Sequence, residues 1–476
     1  MHNEATTLWV SPTGDDKGTG TFDEPFRTIE RALRRVEPGY TIVLKGGSYR
    51  GDVTVQVSGA MRAPIRIMAE SCAMVEVTES AWFFYDVSDL IVSGIRFSGA
   101  PNVAVSVIGQ CERNCFRKLR FVDESKSDKI PCAMYFGGSG ARHNVVEDCH
   151  FEARTDKAAD KAPVGIMVAE GDDQDGAVPN KKHIFRGNIF LNYGCSIMVG
   201  SRDSQGGHYG HIVEGNTIEG RGCDGIRIRC GDTLVKGNSL AGCVGTGIAV
   251  VAGLSTTVED NRVTDCGTGI RLSGTGHSVR NNLVLRCRSE AVHSVSHDKQ
   301  CSVNNIVENN TFVDCGEESS AVTGLRMDTT TGCVVRKNVF YGIGQPYIFE
   351  CKQSSGNLRD REAQFIDDNL VGGGCRPVEG CRTIKLTFAN PSRGNYDNTT
   401  DYGAQGWAAC GVARETAVNV VAPGPTARHE DHDATEDDDA LIDSKIDRLL
   451  ADVDRDELVG RSLFFDEDED LLGEEE

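Results

Sequence analysis

Residues 213–284 read VEGNTIEGRGCDGIRIRCGDTLVKGNSLAGCVGTGIAVVAGLSTTVEDNRVTDCGTGIRLSGTGHSVRNNLV. One pattern runs through this stretch four times. An Asn sits among apolar residues, a Gly or Cys follows, and then comes a strand with alternating apolar positions. The asparagines are Asn216, Asn238, Asn261 and Asn282, spaced by 22, 23 and 21 residues. Outward from here the pattern continues at Asn188, Asn310, Asn338 and Asn369, with gaps of 28, 28, 28 and 31 residues. Further upstream VVEDCHF places Cys149 at the Asn position, and LIVSGIRF places Ile95 there. A base period near 22 with variable insertions is one coil of a β-helix carrying loops of different length. Leucine-rich repeats, the main rival solenoid, need an LxxLxLxxN spacing that is missing here.

The corner chemistry agrees. Asn tolerates a left-handed backbone, and its amide can bond a turn. Stacked coil on coil, such amides form a hydrogen-bonded ladder. Cys243, Cys266, Cys287 and Cys315 each follow an Asn by five residues, which predicts one interior thiol column. A column supplies a line of sulfurs and not the tetrahedral cage a structural metal needs. The expectation is an all-β fold, a single right-handed parallel β-helix, with an N-terminal capping helix and a disordered acidic C-terminal tail. The boundaries read as residues 1–50 for the cap and first strand, 51–410 for the solenoid, 411–428 for a linker and 429–476 for the tail.

Charge is unevenly spread. Of the 71 acidic and 50 basic residues, positions 429–476 hold 21 and 4, a net of −17. The remaining body carries only −4, so the overall −21 belongs to the tail. The linker PGPTARHEDHDATEDDDA is polar and charged enough to stay disordered. ALIDSKIDRLLADVDRDEL reads as a short amphipathic helix, and the acidic-hydrophobic end as an interaction segment. Such a tail docks either a protein partner or the body's own arginine face. Many of the 18 cysteines fall at one repeat position, which implies reduced interior thiols. MHNEATTLWV carries no secretory signal pattern and no stretch is apolar enough to span a membrane. A cytoplasmic or particle-enclosed setting is the expectation from these features.

At the N-terminus, VSPTGDDKGTGT precedes EPFRTIERAL and then PGYTIVLKGGSYRG. Pro25 suits a first helical turn. Phe26, Ile29, Ala32, Leu33 and Val36 form an apolar stripe able to close the end of a solenoid. This order resembles the N-terminal cap of the pectate-lyase-like superfamily, which contains polysaccharide lyases, epimerases and non-enzymatic carbohydrate-binding proteins. FANPSRGNYDNTTDYGAQGW resembles a closing segment of the same proteins. The resemblance spans about residues 8–410.

Side chains alternate across a strand. In GIMVAE, SIMVGSR, GIRIRC, GIAVVA, GIRLSG, AVHSVS and GLRMD, the residues Ile166, Ile197, Ile226, Ile248, Ile270, Val292 and Leu325 should point inward. Met167, Met198, Arg227, Ala249, Arg271, His293 and Arg326 then point outward. A second outward column runs through Arg229 and ends at Asp328. Arg227, Arg229, Arg271, His293, Arg326 and Asp328 thus share one face, which either binds a polyanion or is a plain solvated face. Guanidinium groups take carboxylate or sulfate bidentately. GSRDSQGGHYGH adds Arg202, Asp203, His208, Tyr209 and His211. Glu170, Asp172, Asp173 and Asp175 form either a Ca²⁺ loop or a solvated acidic loop.

VEGNTIEGRG followed by RIRCGDTLVKGNSL resembles the active-site coil of the chondroitinase B and alginate lyase family. The resemblance places Arg229 on that family's strand-ending arginine and Ser201-Arg202 near its basic residue. The family's acidic calcium ligands fall near Ser196 and Met198, which carry no carboxylate. The chemistry implied is β-elimination at a uronate or C5 epimerisation. Arg229 and Arg227 would neutralise the carboxylate. Arg202 or His208 would take the C5 proton, and Tyr209 would supply one. No cofactor is required by this reading, and Ca²⁺ is its one candidate ion. The partner is an anionic polysaccharide and not a nucleic acid. Hydrolysis ranks lower because no outward Asp/Glu pair is evident on adjacent central strands. The alternative is a non-catalytic β-helix, glycan-binding or structural, as in a virus particle or at a cell surface.

Overall fold

The computed structural model describes residues 6–398, apart from 102, 123–131, 139, 154–162, 170–179, 201–208, 221, 296–301, 317–322, 329, 351–364, 377–379, 384–387 and 391–394. The linker and acidic tail lie outside the described residues. The chain winds through three long parallel sheets of 14, 12 and 14 strands. One coil is Leu234–Lys236 in the first sheet, Ser239–Ala241 in the second and Thr246–Val250 in the third, the 12-stranded sheet. Each strand pairs with its equivalents in the coils before and after, so the solenoid is self-templating.

The repeat register is as read from the sequence. Cys149, Asn188, Asn216, Asn238, Asn261, Asn282, Asn310 and Asn338 each precede a paired strand of the second sheet, Asn369 begins one, and all are buried. Asn238 shows the unit. Its Nδ2 donates to Val213 O and to Asn261 Oδ1, both at 2.9 Å, and its backbone N–H donates to the same Oδ1. Cys149 extends the ladder upstream, its Sγ accepting from the Leu119 N–H. One detail differs from expectation. The left-handed residue is the one before the Asn: Gly215, Gly237, Asp260 and Asn281 have φ of 62°, 61°, 56° and 57°. Asn is selected at this corner for its amide, which satisfies backbone groups that would otherwise be buried without partners.

A second ladder, not foreseen, lines the corner before the first sheet. Asn144 donates its N–H to His183 Nδ1, His183 donates to His211 Nδ1, and Thr256 donates to His277 Nδ1. All three imidazoles are fully buried. Cys243, Cys266, Cys287 and Cys315 are buried thiols. The hydrogen bond to Cys266 and then burial push Cys243 well above the ordinary thiol range.

At the N-terminus the helix is shorter than the stripe suggested, spanning Ile29–Leu33 with Thr28 as its cap. Pro25 therefore precedes the helix. Phe26 instead bridges to Val10, and Val10, Phe26, Ile29, Ala32 and Val36 all join the core. The first strand, Thr7–Val10, already belongs to the first sheet. Among the described residues, no helix is long and apolar enough to cross a membrane.

Candidate functional site on the third sheet

Ile166, Ile197, Ile226, Ile248, Ile270, Val292 and Leu325 are all 0% exposed, as the alternation requires. The residue after each therefore faces out. Direct register partners are Met167, Met198, Arg227, Ala249, Arg271, His293 and Arg326, in that order. Arg229 follows Ile228 on the next outward position, and Asp328 ends its strand at the equivalent one. Neighbouring coils are about 4.8 Å apart, so this column presents a side chain at each such step.

Upstream, the face is apolar. Cys132, Val164 and Cys195 pack with Tyr135, Met167 and Met198. Burial pushes the Cys195 thiol up to about 12. Polar chemistry begins at Arg227. Its Nε donates to Asp224 Oδ2 at 2.6 Å. Asp224 is held in turn by the Thr246 N–H, which donates to Oδ1 at 3.1 Å. Burial works against the Arg227 charge, but Asp224 overcomes it and raises the guanidinium pKa. Arg227 was expected to offer its fork to a ligand. That expectation is corrected: the fork is committed within its own strand. Arg229 is half-buried, its backbone close against Gly200 of the coil before.

Three coils on, a four-residue cluster forms. His293 Nε2 lies 3.0 Å from Asp328 Oδ2. Arg326 Nε donates to Asp328 Oδ1 at 3.1 Å, and its Nη1 lies 3.8 Å from Glu290 Oε1. The structure thus brings together His293, Arg326 and Asp328, but as a mutually paired group and not as three free ligand groups. Glu290 and Asp328 also correct the expectation that no carboxylate pair faces out on adjacent coils. Both are tied to one guanidinium, and Glu290 is only 6% exposed. Arg271 stands directly beside His293 on the preceding coil. It is exposed and makes no ion pair or hydrogen bond among the described residues.

Asp224 and Glu290 escaped the sequence reading because alternation breaks at the strand start. Gly225 and Ile226 both face inward: a Cβ on Gly225 would lie 2.6 Å from Leu240 Cδ2 and 3.0 Å from Cys243 Sγ. The residue before that Gly is therefore outward, three places ahead of the arginine. The recurring polar-Gly-apolar start in DGI, TGI and TGL carried the signal.

The other expected residues stand differently. Arg202, Asp203 and His208 lie outside the described residues, as do Glu170, Asp172, Asp173 and Asp175. Tyr209 is 6% exposed and its ring joins the main core, parallel to His211 with centroids 6.2 Å apart. That ring packs the interior and does not line the outer face, which corrects its assignment as a proton donor. His211 belongs to the corner ladder, where burial lowers its pKa to about 3. Ser196 is fully buried and Met198 packs on Cys195, so this position does not fit a calcium ion. No group of three or more His, Cys, Asp or Glu able to hold a metal occurs among the described residues.

Residues 177–345 match the family model described as "Right handed beta helix region". The uncharacterised protein YwoF of Bacillus subtilis is 32% identical over 98 residues, 18% of this chain and 21% of YwoF. Pectate lyase PEL9 of Emericella nidulans is 30% identical over 99 residues, 20% of each chain. The chain thus spans about a fifth of the length of these curated relatives. Among solved structures, the PL6 family alginate lyase AlyGC superposes with a TM-score of 0.59 at 16% identity, over 83% of this chain and 55% of AlyGC. A mannuronic acid specific polysaccharide family 6 lyase from human gut microbiota gives 0.57 at 16% identity, over 81% and 92%. These likenesses show the fold: this chain is a right-handed parallel β-helix.

Proposed function

We propose that the protein is a carbohydrate-active β-helix that binds an anionic, uronate-containing polysaccharide along the outer face of the third sheet. The observation that carries this reading is Arg271, an exposed guanidinium without a partner among the described residues, aligned in one column with Arg227, His293 and Arg326. A column with one side chain per coil matches a polymer that presents a carboxylate at regular intervals. The activity proposed is β-elimination or C5 epimerisation. Both begin by neutralising the uronate carboxylate, which acidifies the C5 proton, and then remove that proton. Arg229 and Arg271 supply the positive charge. The solved lyases that share the fold lend support, as does the pectate lyase segment. No step is assigned to calcium.

One observation favours a second reading, a non-catalytic glycan-binding module. Asp224 and Asp328 already neutralise Arg227 and Arg326, which leaves less charge for catalysis than the sequence suggests. Incubation with alginate, pectate and chondroitin sulfate separates the two. Ultraviolet absorbance from a C4=C5 double bond is expected for the lyase, and loss of label from C5 without such absorbance for an epimerase. Salt-sensitive binding without either would leave the binding module, and no binding at all would defeat both.

A further inference from the structure

We propose that His293 is the proton-transferring residue of this face, and that its partner site is a uronate whose H5 and O4 lie on the same side of the ring. The inference rests on the proposed polysaccharide reading and deepens it. Around Arg227 and Arg229, the described outward neighbours are Met198, Gly200, Ala249 and Val251, none of which can accept a proton. Asp224 is occupied by Arg227 and the Thr246 N–H. His293 is the one outward imidazole on this sheet among the described residues.

Its surroundings suit the task. Asp328 binds Nε2, which fixes the Nε2–H tautomer and leaves the Nδ1 lone pair as acceptor. Arg326 grips both oxygens of Asp328 and reaches Glu290, so Asp328 is held in place as a positioning residue. Arg271 lies in register one coil away, free to bind a carboxylate while the adjacent imidazole meets the neighbouring C5–H. Neutralisation and proton removal are thus divided between consecutive coils, about 4.8 Å apart.

The step balances without a co-reactant. Nδ1 takes the C5 proton, the electron pair forms the C4=C5 bond, and the C4–O4 bond breaks. The leaving oxygen takes the same proton back from the imidazolium. One imidazole can do both only on one side of the sugar ring. That geometry occurs in 4-linked mannuronate and glucuronate and is absent from guluronate and galacturonate, where H5 and O4 lie on opposite sides.

The experiment uses the full chain with polymannuronate, polyguluronate, polygalacturonate and chondroitin sulfate. Unsaturated product is expected from the first and last. His293→Gln should lower kcat by roughly a hundredfold or more, the usual worth of a general base. Its polyanion affinity and thermal midpoint should stay near those of the parent. Asp328→Asn should lower kcat with KM little changed, because the imidazole loses the carboxylate that orients it. Undiminished turnover in His293→Gln would overturn the inference, as would cleavage confined to polyguluronate and polygalacturonate. Binding without product would overturn this inference and leave polysaccharide binding standing, whereas failure to bind any of the four polymers would overturn the reading beneath it.

Discussion

The first and third sheets both carry charge on their outer faces, and they handle it in opposite ways. On the first sheet one outward column reads Arg117, Glu147, Arg186, Glu214, Lys236, Glu259, Arg280, Glu308, Arg336 and Asp367, each in direct register with the next. The sign alternates at every coil. Glu259 accepts from Lys236 on one side and Arg280 on the other, and Glu308 pairs with Arg336. This ladder is closed: each charge has its opposite one coil away. On the third sheet the outward column runs Met198, Arg227, Ala249, Arg271, His293, Arg326, with carboxylates only at the start and end. Its middle is left open at Arg271. Function is to be sought where a repeat leaves charge unmatched, and the closed column beside it is an internal control.

The largest expected effect belongs to the imidazoles at the corner of the first sheet. Burial lowers the pKa of His211 to about 3 and of His277 to about 4, and lowers that of His183 as well. Each accepts a backbone N–H at Nδ1 or lies in such a ladder, and protonation would replace that acceptor with a donor. An unfolded histidine titrates near 6.5, so their contribution is complete above that pH and is lost as pH falls from about 6.5 toward about 4. The closed ladder does not share this window, since Lys236 and Arg280 overcome burial and hold the Glu259 pKa below the usual carboxylate range. Chemical denaturation at pH 7 and pH 4.5 should show a loss of several kcal/mol, largely recovered in a His211→Asn, His277→Asn variant. Equal stability at both pH values would mean the buried imidazoles do not couple to folding.

Next in size is the closed ladder itself. Glu259→Ala strands two cations around a nearly buried position and should cost roughly 1–3 kcal/mol, read as a lower denaturation midpoint. Arg271→Ala on the open column should change stability by no more than about 0.5 kcal/mol. The order reverses for ligand. Arg271→Ala should weaken polyanion binding by about tenfold, the size of one lost charge-assisted contact, and Glu259→Ala should leave affinity unchanged. If the two substitutions affected binding equally, the contrast between the faces would carry no functional information.

The sequence carried the coil register, because the Asn corner and the inward Ile column repeat with little variation of residue type. The second corner ladder was hidden by its changing chemistry: Asn144, His183, His211, Thr256 and His277 fill equivalent roles with different side chains. The outward arginines were legible from alternation, but their partners were not. Asp224 and Glu290 lie ahead of a doubled inward step that strict alternation cannot represent, and Asp328 meets His293 only across coils 35 residues apart. The alternating ladder was likewise written in the chain, yet its signs become neighbours only after the period is fixed.

The smallest expected effect concerns the acidic tail, whose net of −17 faces a body of only −4. A polyanion tethered to the same chain reaches a local concentration of about millimolar. The closed column of the first sheet offers it no unmatched charge, whereas Arg271 does. Occupation of the third sheet by the tail would compete with a polysaccharide, and the competition should fade as salt screens it beyond about 8 Å at physiological ionic strength. Removal of residues after Thr426 should therefore raise polyanion affinity by a few-fold at low salt and leave it unchanged at high salt. The same truncation in Arg271→Ala should have a smaller effect, because the guanidinium that both anions seek is gone. Equal affinity of full-length and truncated protein at low salt would assign the tail to solubility or to docking of a separate protein partner.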